Sequence, residues 1–191
     1  MRSTLPIQLG AMQEVTELHR TLTGRVFLAV SASAFVALAA HVSVPLYFTP
    51  VPITLQTLAV ILVGFALGPQ LAFSAMVLYL AEGAAGLPVF TPHGLGGVAQ
   101  LLGPTAGFLF SFPLAAAVAG TVVRRGRSRF PAALLAGSAA TVVFLAMGAD
   151  WVAHLLHLSA GTTWHLAVAP FLPGEAFKIV AAACAYTTVR R

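Results

Sequence analysis

The stretch with the most chemistry in it is Pro170-Phe171-Leu172-Pro173-Gly174-Glu175-Ala176-Phe177-Lys178. Pro173 is a natural first helical residue, because the N–H it lacks would be unpaired there in any case. Glu175 then falls in the first turn, where the positive end of the helix dipole favours an anion. Lys178 follows at i+3 on the same face. The surrounding sequence is apolar, and an ionisable pair within a membrane span is expensive enough to mark a functional site by default. A mutual ion pair that locks helices together is the plainer alternative. As a site, the pair puts one anionic acceptor and one cationic donor on one wall. That suits a ligand with N–H donors at one end and a carboxylate at the other.

Other polar residues could join it. Thr54 and Gln56 open an apolar tract, and Gln56 could read a ligand amide or make a helix–helix hydrogen bond. Glu82 either lines the same cavity or reaches the headgroups. The loop Thr91-Pro92-His93-Gly94-Leu95-Gly96-Gly97 is rich in glycine, which permits close backbone approach to a ligand. Irregular backbone at membrane depth is tolerated where it lines a cavity. It is no phosphate cradle, since Lys178 is the sole lysine and no G-K-[ST] exists, so ATP hydrolysis by this chain is rejected. Asp150, His154 and His157 stand at i, i+4 and i+7, a spacing that could hold a divalent metal or relay protons. Beside Trp151, at an expected interface, solvation is the cheaper reading, and no metal site is assigned. His41 and His165 carry less, while His93 sits in the ligand-like loop. Ala29, Ser33 and Ala37 form a small-residue stripe, a close-approach surface for a helix of this chain or of a partner. Cys184, the single cysteine, excludes an intramolecular disulfide framework and reads as packing.

The elements that position these residues must sit in lipid. Of 191 residues, 59% are hydrophobic and 8% charged, with mean hydropathy +0.92. A soluble domain is roughly 25% charged. This excludes an ordinary cytosolic enzyme, a disordered chain and a coiled coil. The net charge of +5 sits in few residues at segment ends, so no nucleic-acid face is expected. No charged residue occurs in 26–81, 83–123 or 130–149. Crossing a ~30 Å hydrocarbon core takes about 20 helical residues, so these tracts hold several spans, divided at prolines and glycines. The expected spans are 26–44, 53–67, 70–87, 104 or 105 to 123, 132–149 (extending as far as 158), and one after Pro170 and Pro173 reaching 189. The second is short.

Arginine placement sets the topology, because cytoplasmic loops collect Lys and Arg. Six spans with both termini inside put Arg20, Arg25, Arg124, Arg125, Arg127, Arg129, Arg190 and Arg191 on one side, leaving Lys178 as the basic exception. Five or seven spans would separate them. The fold expected is an all-α membrane protein with six transmembrane helices, N-in/C-in. Residues 1–24 form a cytoplasmic lead-in, and 25–191 form one transmembrane substrate-binding domain. Trp151, Trp164, Tyr47-Phe48 and Tyr186 read as interfacial belts.

The run Thr49-Pro50-Val51-Pro52-Ile53-Thr54-Leu55-Gln56-Thr57-Leu58-Ala59-Val60 resembles the start of the second helix in the BioY family, the biotin-specific S components of energy-coupling factor (ECF) transporters. Leu67-Gly68-Pro69, Gly86-Leu87-Pro88-Val89-Phe90, Gly96-Gly97, Gly103-Pro104-Thr105-Ala106-Gly107-Phe108 and Pro170-Phe171-Leu172-Pro173-Gly174-Glu175-x-x-Lys178 match in family order. Glu175 stands where the family usually has Asp, the loop at Thr91-Pro92-His93 is a residue longer, and Phe108 replaces a tyrosine. The resemblance implies a multi-pass protein of the bacterial inner membrane, with an ECF S-component-like bundle. It also implies capture of biotin as transported substrate, with no cofactor and no enzymatic step. The implied partners are a transmembrane coupling (T) protein, two ABC ATPases and the lipid bilayer. The family's pocket carries over to Glu175 and Lys178 and loosely to the loop 90–97. On this reading Glu175, with Gln56, Thr54 or the loop groups Thr91 and His93, binds the ureido ring. Lys178 pairs with the valerate, and Phe90, Phe108 and Phe171 pack the ring and chain. The stripe Ala29, Ser33, Ala37 resembles the coupling-protein contact. Rival readings are an S component for another vitamin, an intramembrane metalloenzyme on Asp150, His154 and His157, and a self-sufficient homo-oligomeric transporter.

Overall fold

The computed structural model of the chain describes residues 21–189. Most of the expected lead-in, residues 1–20, and Arg190 and Arg191 lie outside the described residues. Helix α1, Leu22–His41, begins inside the segment assigned to the lead-in, because the Thr21 hydroxyl accepts from the Gly24 N–H at 3.0 Å and caps the first turn. The last residues expected in the first span are not helical. Ser43 and Val44 (β1) pair antiparallel with Thr54 and Ile53 (β2), forming a small hairpin around the proline-rich segment 45–52. Proline removes a donor and disfavours helix in the residue before it, which keeps this segment extended and delays the second helix.

That helix, α2, spans Gln56–Leu67, and α3 spans Pro69–Ala84. Gly68 between them has φ +77°, and its N–H bonds to Gly64 O at 3.0 Å. The Arg124 guanidinium donates to Leu67 O at 3.1 Å, satisfying a carbonyl at the α2 terminus. The Gly68 backbone, at φ 77° and ψ 177°, lies in a region essentially confined to glycine, and the Arg124 guanidinium occupies the space beside it. A single turn, α4 (Gly97–Gln100), precedes α5 (Ala106–Arg125) and α6 (Arg129–Leu156). A further short helix not anticipated from sequence, α7 (Ala160–Ala167), is capped by the Ser159 hydroxyl. It meets α8 (Leu172–Val189) at a bend of 50°.

Among the described residues, α1, α5 and α6 are each long and apolar enough to cross a membrane, and α7 with α8 makes a fourth if the bent pair is one span. Helix α2 has 12 residues, about 18 Å of rise against a ~30 Å core, in keeping with the short second span expected. Exposed Phe27, Leu38, Leu135, Val142 and Phe177 cover the outside with apolar surface, as lipid requires. Tyr47 and Trp164 are exposed. Trp151, expected as a belt residue, is half-buried and donates its indole N–H to Gly103 O at 2.9 Å.

Helix α5 is the central strut, packed against α2, α3 and α6, with α1 covering α3 and α8 lying on α6 and α2. Its approach to the α2–α3 junction is backbone on backbone. A Cβ at Gly120 would sit 2.8 Å from Gly64 O, Gly68 C and Pro69 N. Gly120→Ala should therefore destabilise by about 1–3 kcal/mol, read as a lowered thermal midpoint in detergent. Gly161→Ala, whose Cβ meets nothing within 4 Å, should leave that midpoint where it is or raise it.

Candidate functional site

The bend after α7 turns the first turns of α8 into the bundle, and the Glu175 N–H bonds to Phe171 O at 2.9 Å. Glu175 and Lys178 are 4% and 5% exposed. Lys178 Nζ donates to Glu175 Oε1 at 2.7 Å and to Thr57 Oγ1, on α2, at 2.9 Å. An ammonium has donors and no acceptor, so the Thr57 hydroxyl receives from Lys178 and gives its own hydrogen to Glu175 Oε1, 2.7 Å away. The three side chains close a ring of hydrogen bonds between α2 and α8. Glu175 Oε1 accepts twice, whereas Oε2 is buried with no hydrogen-bond partner.

The ring forms one wall of a cavity of about 600 Å³, its open mouth included, at the end of α5 opposite Arg124 and Arg125. Thr54, Gln56, Phe90, Thr91, Phe108, Phe171, Glu175 and Lys178 all line it. His93 does not. It is exposed, and lines an adjoining outer depression that shares Pro52, Thr91, Gln100 and Thr105 with the cavity. Phe108 and Phe171 stand 6.1 Å apart by ring centroid, and Phe112 and Phe144 form an edge-on pair at 5.7 Å. The Gln56 amide accepts from Thr54 Oγ1 at 3.1 Å and donates to the Tyr79 hydroxyl at 2.7 Å, which donates to Val89 O at 2.8 Å. This chain of bonds fixes the turn that places Phe90 and Thr91. Gln56 thus makes a helix–helix hydrogen bond and also faces the cavity.

Several lining residues escaped the sequence analysis: Thr57, Gln100, Thr105 and the supporting Tyr79. Thr57 had a signal in the sequence, because it follows Thr54 at i+3 within the second expected span, although Thr54 itself lies in β2. Gln100 and Tyr79 are rare polar residues in uncharged tracts. Their partners, Leu95 N and Thr105 for one and Val89 O for the other, are visible only in the fold.

Other expectations require correction. Glu82 is outside the cavity lining and accepts from the Ser33 hydroxyl across the α1–α3 contact. Ala29 and Ser33, proposed as a partner surface, are buried within the chain, and Ala37 is half-buried. Their small side chains serve the intramolecular approach, leaving Val26, Phe27, Val30 and Leu38 exposed. Asp150 and His154 are exposed, with His154 Nδ1 3.5 Å from Asp150 Oδ1, and His157 ends α6 in a left-handed conformation. No three His, Cys, Asp or Glu residues converge on a metal position among the described residues.

Lys178 Nζ is held 2.7 Å from Glu175 Oε1, so the two charged groups stand at one place in the cavity wall.

The BioY family model matches residues 11–191. The chain belongs to the BioY family. Among BioY relatives, the protein described as "Probable biotin transporter BioY" of Pyrococcus horikoshii is 36% identical over 149 residues, spanning 78% of this chain and 85% of that one. "Biotin transporter BioY" of Rhodobacter capsulatus is 40% identical over 161 residues, spanning 78% and 83%. The BioY bundle superposes on a crystal structure of the S-component for biotin from an ECF-type ABC transporter, with a TM-score of 0.78, 23% identity, and coverage of 87% of this chain and 90% of that one. The two share a fold.

The hydroxyl of Thr57 can be tested alone. Thr57→Val keeps the shape but leaves a buried ammonium and a buried carboxylate each short of a partner, and should cost about 1–3 kcal/mol. Thr57→Ser should retain most of the stability, both read by thermal unfolding in detergent.

Proposed function

We infer that this chain captures biotin at the membrane face opposite its arginine cluster and serves as the S component of an ECF-type ABC transporter. The observation that carries this is the unpartnered Glu175 Oε2, buried beside Lys178 in a cavity whose other walls are aromatic and apolar side chains interspersed with neutral Thr and Gln. A cyclic urea presents N–H donors next to a carbonyl. Glu175 Oε2 accepts one N–H, and the ammonium hydrogen that Lys178 does not spend on Thr57 and Glu175 is offered to the carbonyl. Phe90, Phe108 and Phe171 cover the sulfur ring and the methylene chain, where apolar burial gives roughly 25 cal/mol per Å².

The proposed topology is six spans with both ends on the arginine side, residues 1–24 forming the lead-in and 25–191 the transmembrane domain. With no nucleotide motif in the chain, the work of transport is supplied by a transmembrane coupling protein and two ABC ATPases. The protein resides in the plasma membrane and catalyses no bond-making step.

Titration calorimetry of the purified chain in detergent should detect biotin and not thiamine or riboflavin. Lys178→Ala and Glu175→Ala should abolish tight binding, since each hydrogen bond to a charged group contributes about 1.5–3 kcal/mol and a broken buried pair costs about 3–5 kcal/mol. Glu175→Gln, which keeps one acceptor oxygen, separates loss of binding from loss of fold. Unchanged affinity in all three folded variants would remove this site. Biotin uptake by cells that express this chain but lack the ATPase module should fall to background.

A further inference from the structure

The ion pair at the cavity wall leaves the other end of the ligand to be held by something else. Lys178 and Glu175 are 2.7 Å apart and joined through Thr57, so they engage one end of biotin, and its carboxyl end points toward the mouth. The polar groups on that route are neutral: Thr91, Gln100 and Thr105 belong both to the cavity and to the outer depression. Gln100 is half used, one lone pair taken by the Leu95 N–H at 2.7 Å and one amide hydrogen given to the Thr105 hydroxyl, and what it has left is neutral. Thr91 donates to the Ser43 hydroxyl at 3.3 Å, a long bond that is easily exchanged. The depression is lined further by Pro50, His93, Gly94 and Leu95, and has about 510 Å³ of space including its open mouth. Its one titratable lining residue, His93, is exposed.

We propose that this chain also accepts biotin whose carboxyl group is conjugated as an amide, the extension lying in the outer depression. The chemistry is that of the donors. A threonine hydroxyl can donate to a carboxylate oxygen or to an amide carbonyl; its stronger bond to the anion is offset by the water the charge would shed, whereas a guanidinium or ammonium would add a second charge and select the anion outright. A carboxylate at this mouth stays hydrated, so its charge neither gains a cation nor loses its water. Discrimination is thereby concentrated at Glu175, Lys178 and Thr57, and the distal end is read by shape.

The proposal rests on the biotin reading, and calorimetry on the full chain in detergent tests the two separately. Biotin, its primary carboxamide and its amide with the ε-amine of lysine are titrated in parallel. Absence of biotin binding would sink the reading itself. If biotin binds, both amides should bind within about tenfold of it, and loss of either amide by more than that overturns the proposal alone. His93→Ala, at an exposed position, should shift biotin and the carboxamide by the same factor. A loss confined to the free acid would reveal a charge contact and overturn it as well.

Discussion

Two opposite charges inside an oily bundle must find each other or be neutralised, and this requirement fixes α8 to α2. The energetic pressure is severe, because an uncompensated buried charge costs several kcal/mol. Glu175 and Lys178 satisfy it with help from Thr57, a residue 118 positions from Glu175 in the chain. The β-branched threonine has few χ1 states in a helix, so its hydroxyl is held where both charged groups need it. One oxygen of the carboxylate is left over. The same interaction that closes the helix contact therefore also leaves the buried acceptor on which the proposed function rests.

Glycines around α5 divide the bundle into a tight half and an open half. Toward the arginine end, Gly64 and Gly120 bring α2 and α5 into backbone contact. Toward the other end, glycines seat rings: a Cβ at Gly83 would strike Phe90 Cζ at 2.0 Å, and one at Gly148 would strike the Phe108 ring at 2.3 Å. Two of the aromatic walls of the cavity lie where a neighbouring helix has given up its side chain.

Helices of 12 residues or more stand in each of the six expected tracts, because prolines and glycines break helices for local reasons. The charged pair was equally legible, since an ionisable residue in apolar sequence is conspicuous by its cost. The β1–β2 pair was not, because two-residue strands carry no periodicity and exist only through each other. Helix α7 hid in a segment of mixed polarity, although Ser159 offered a capping signal. Ser33 and Glu82 were each read alone, and neither type nor spacing could reveal that they meet across α1 and α3. The contact between Glu175 and Lys178 was half legible, since spacing put them on one face and only the fold gives their 2.7 Å separation.

Concentrating recognition at a buried pair has a consequence for release. On the proposed reading, bound biotin gives Glu175 Oε2 its donor and completes the site electrostatically. Releasing the ligand inward restores the unsatisfied oxygen and re-exposes apolar walls, so the tighter the capture, the greater the work of delivery. Each tenfold in affinity adds 1.4 kcal/mol to that work. The sequence holds neither a G-K-[ST] phosphate loop nor a second lysine. On the same reading that energy enters through a surface shared with a partner. With Ala29 and Ser33 turned inward, the accessible surface of α1 is made by its exposed large apolar residues rather than by the small stripe, while Ser33 bonds Glu82 on α3, the helix whose Tyr79 holds the loop that carries Phe90 and Thr91.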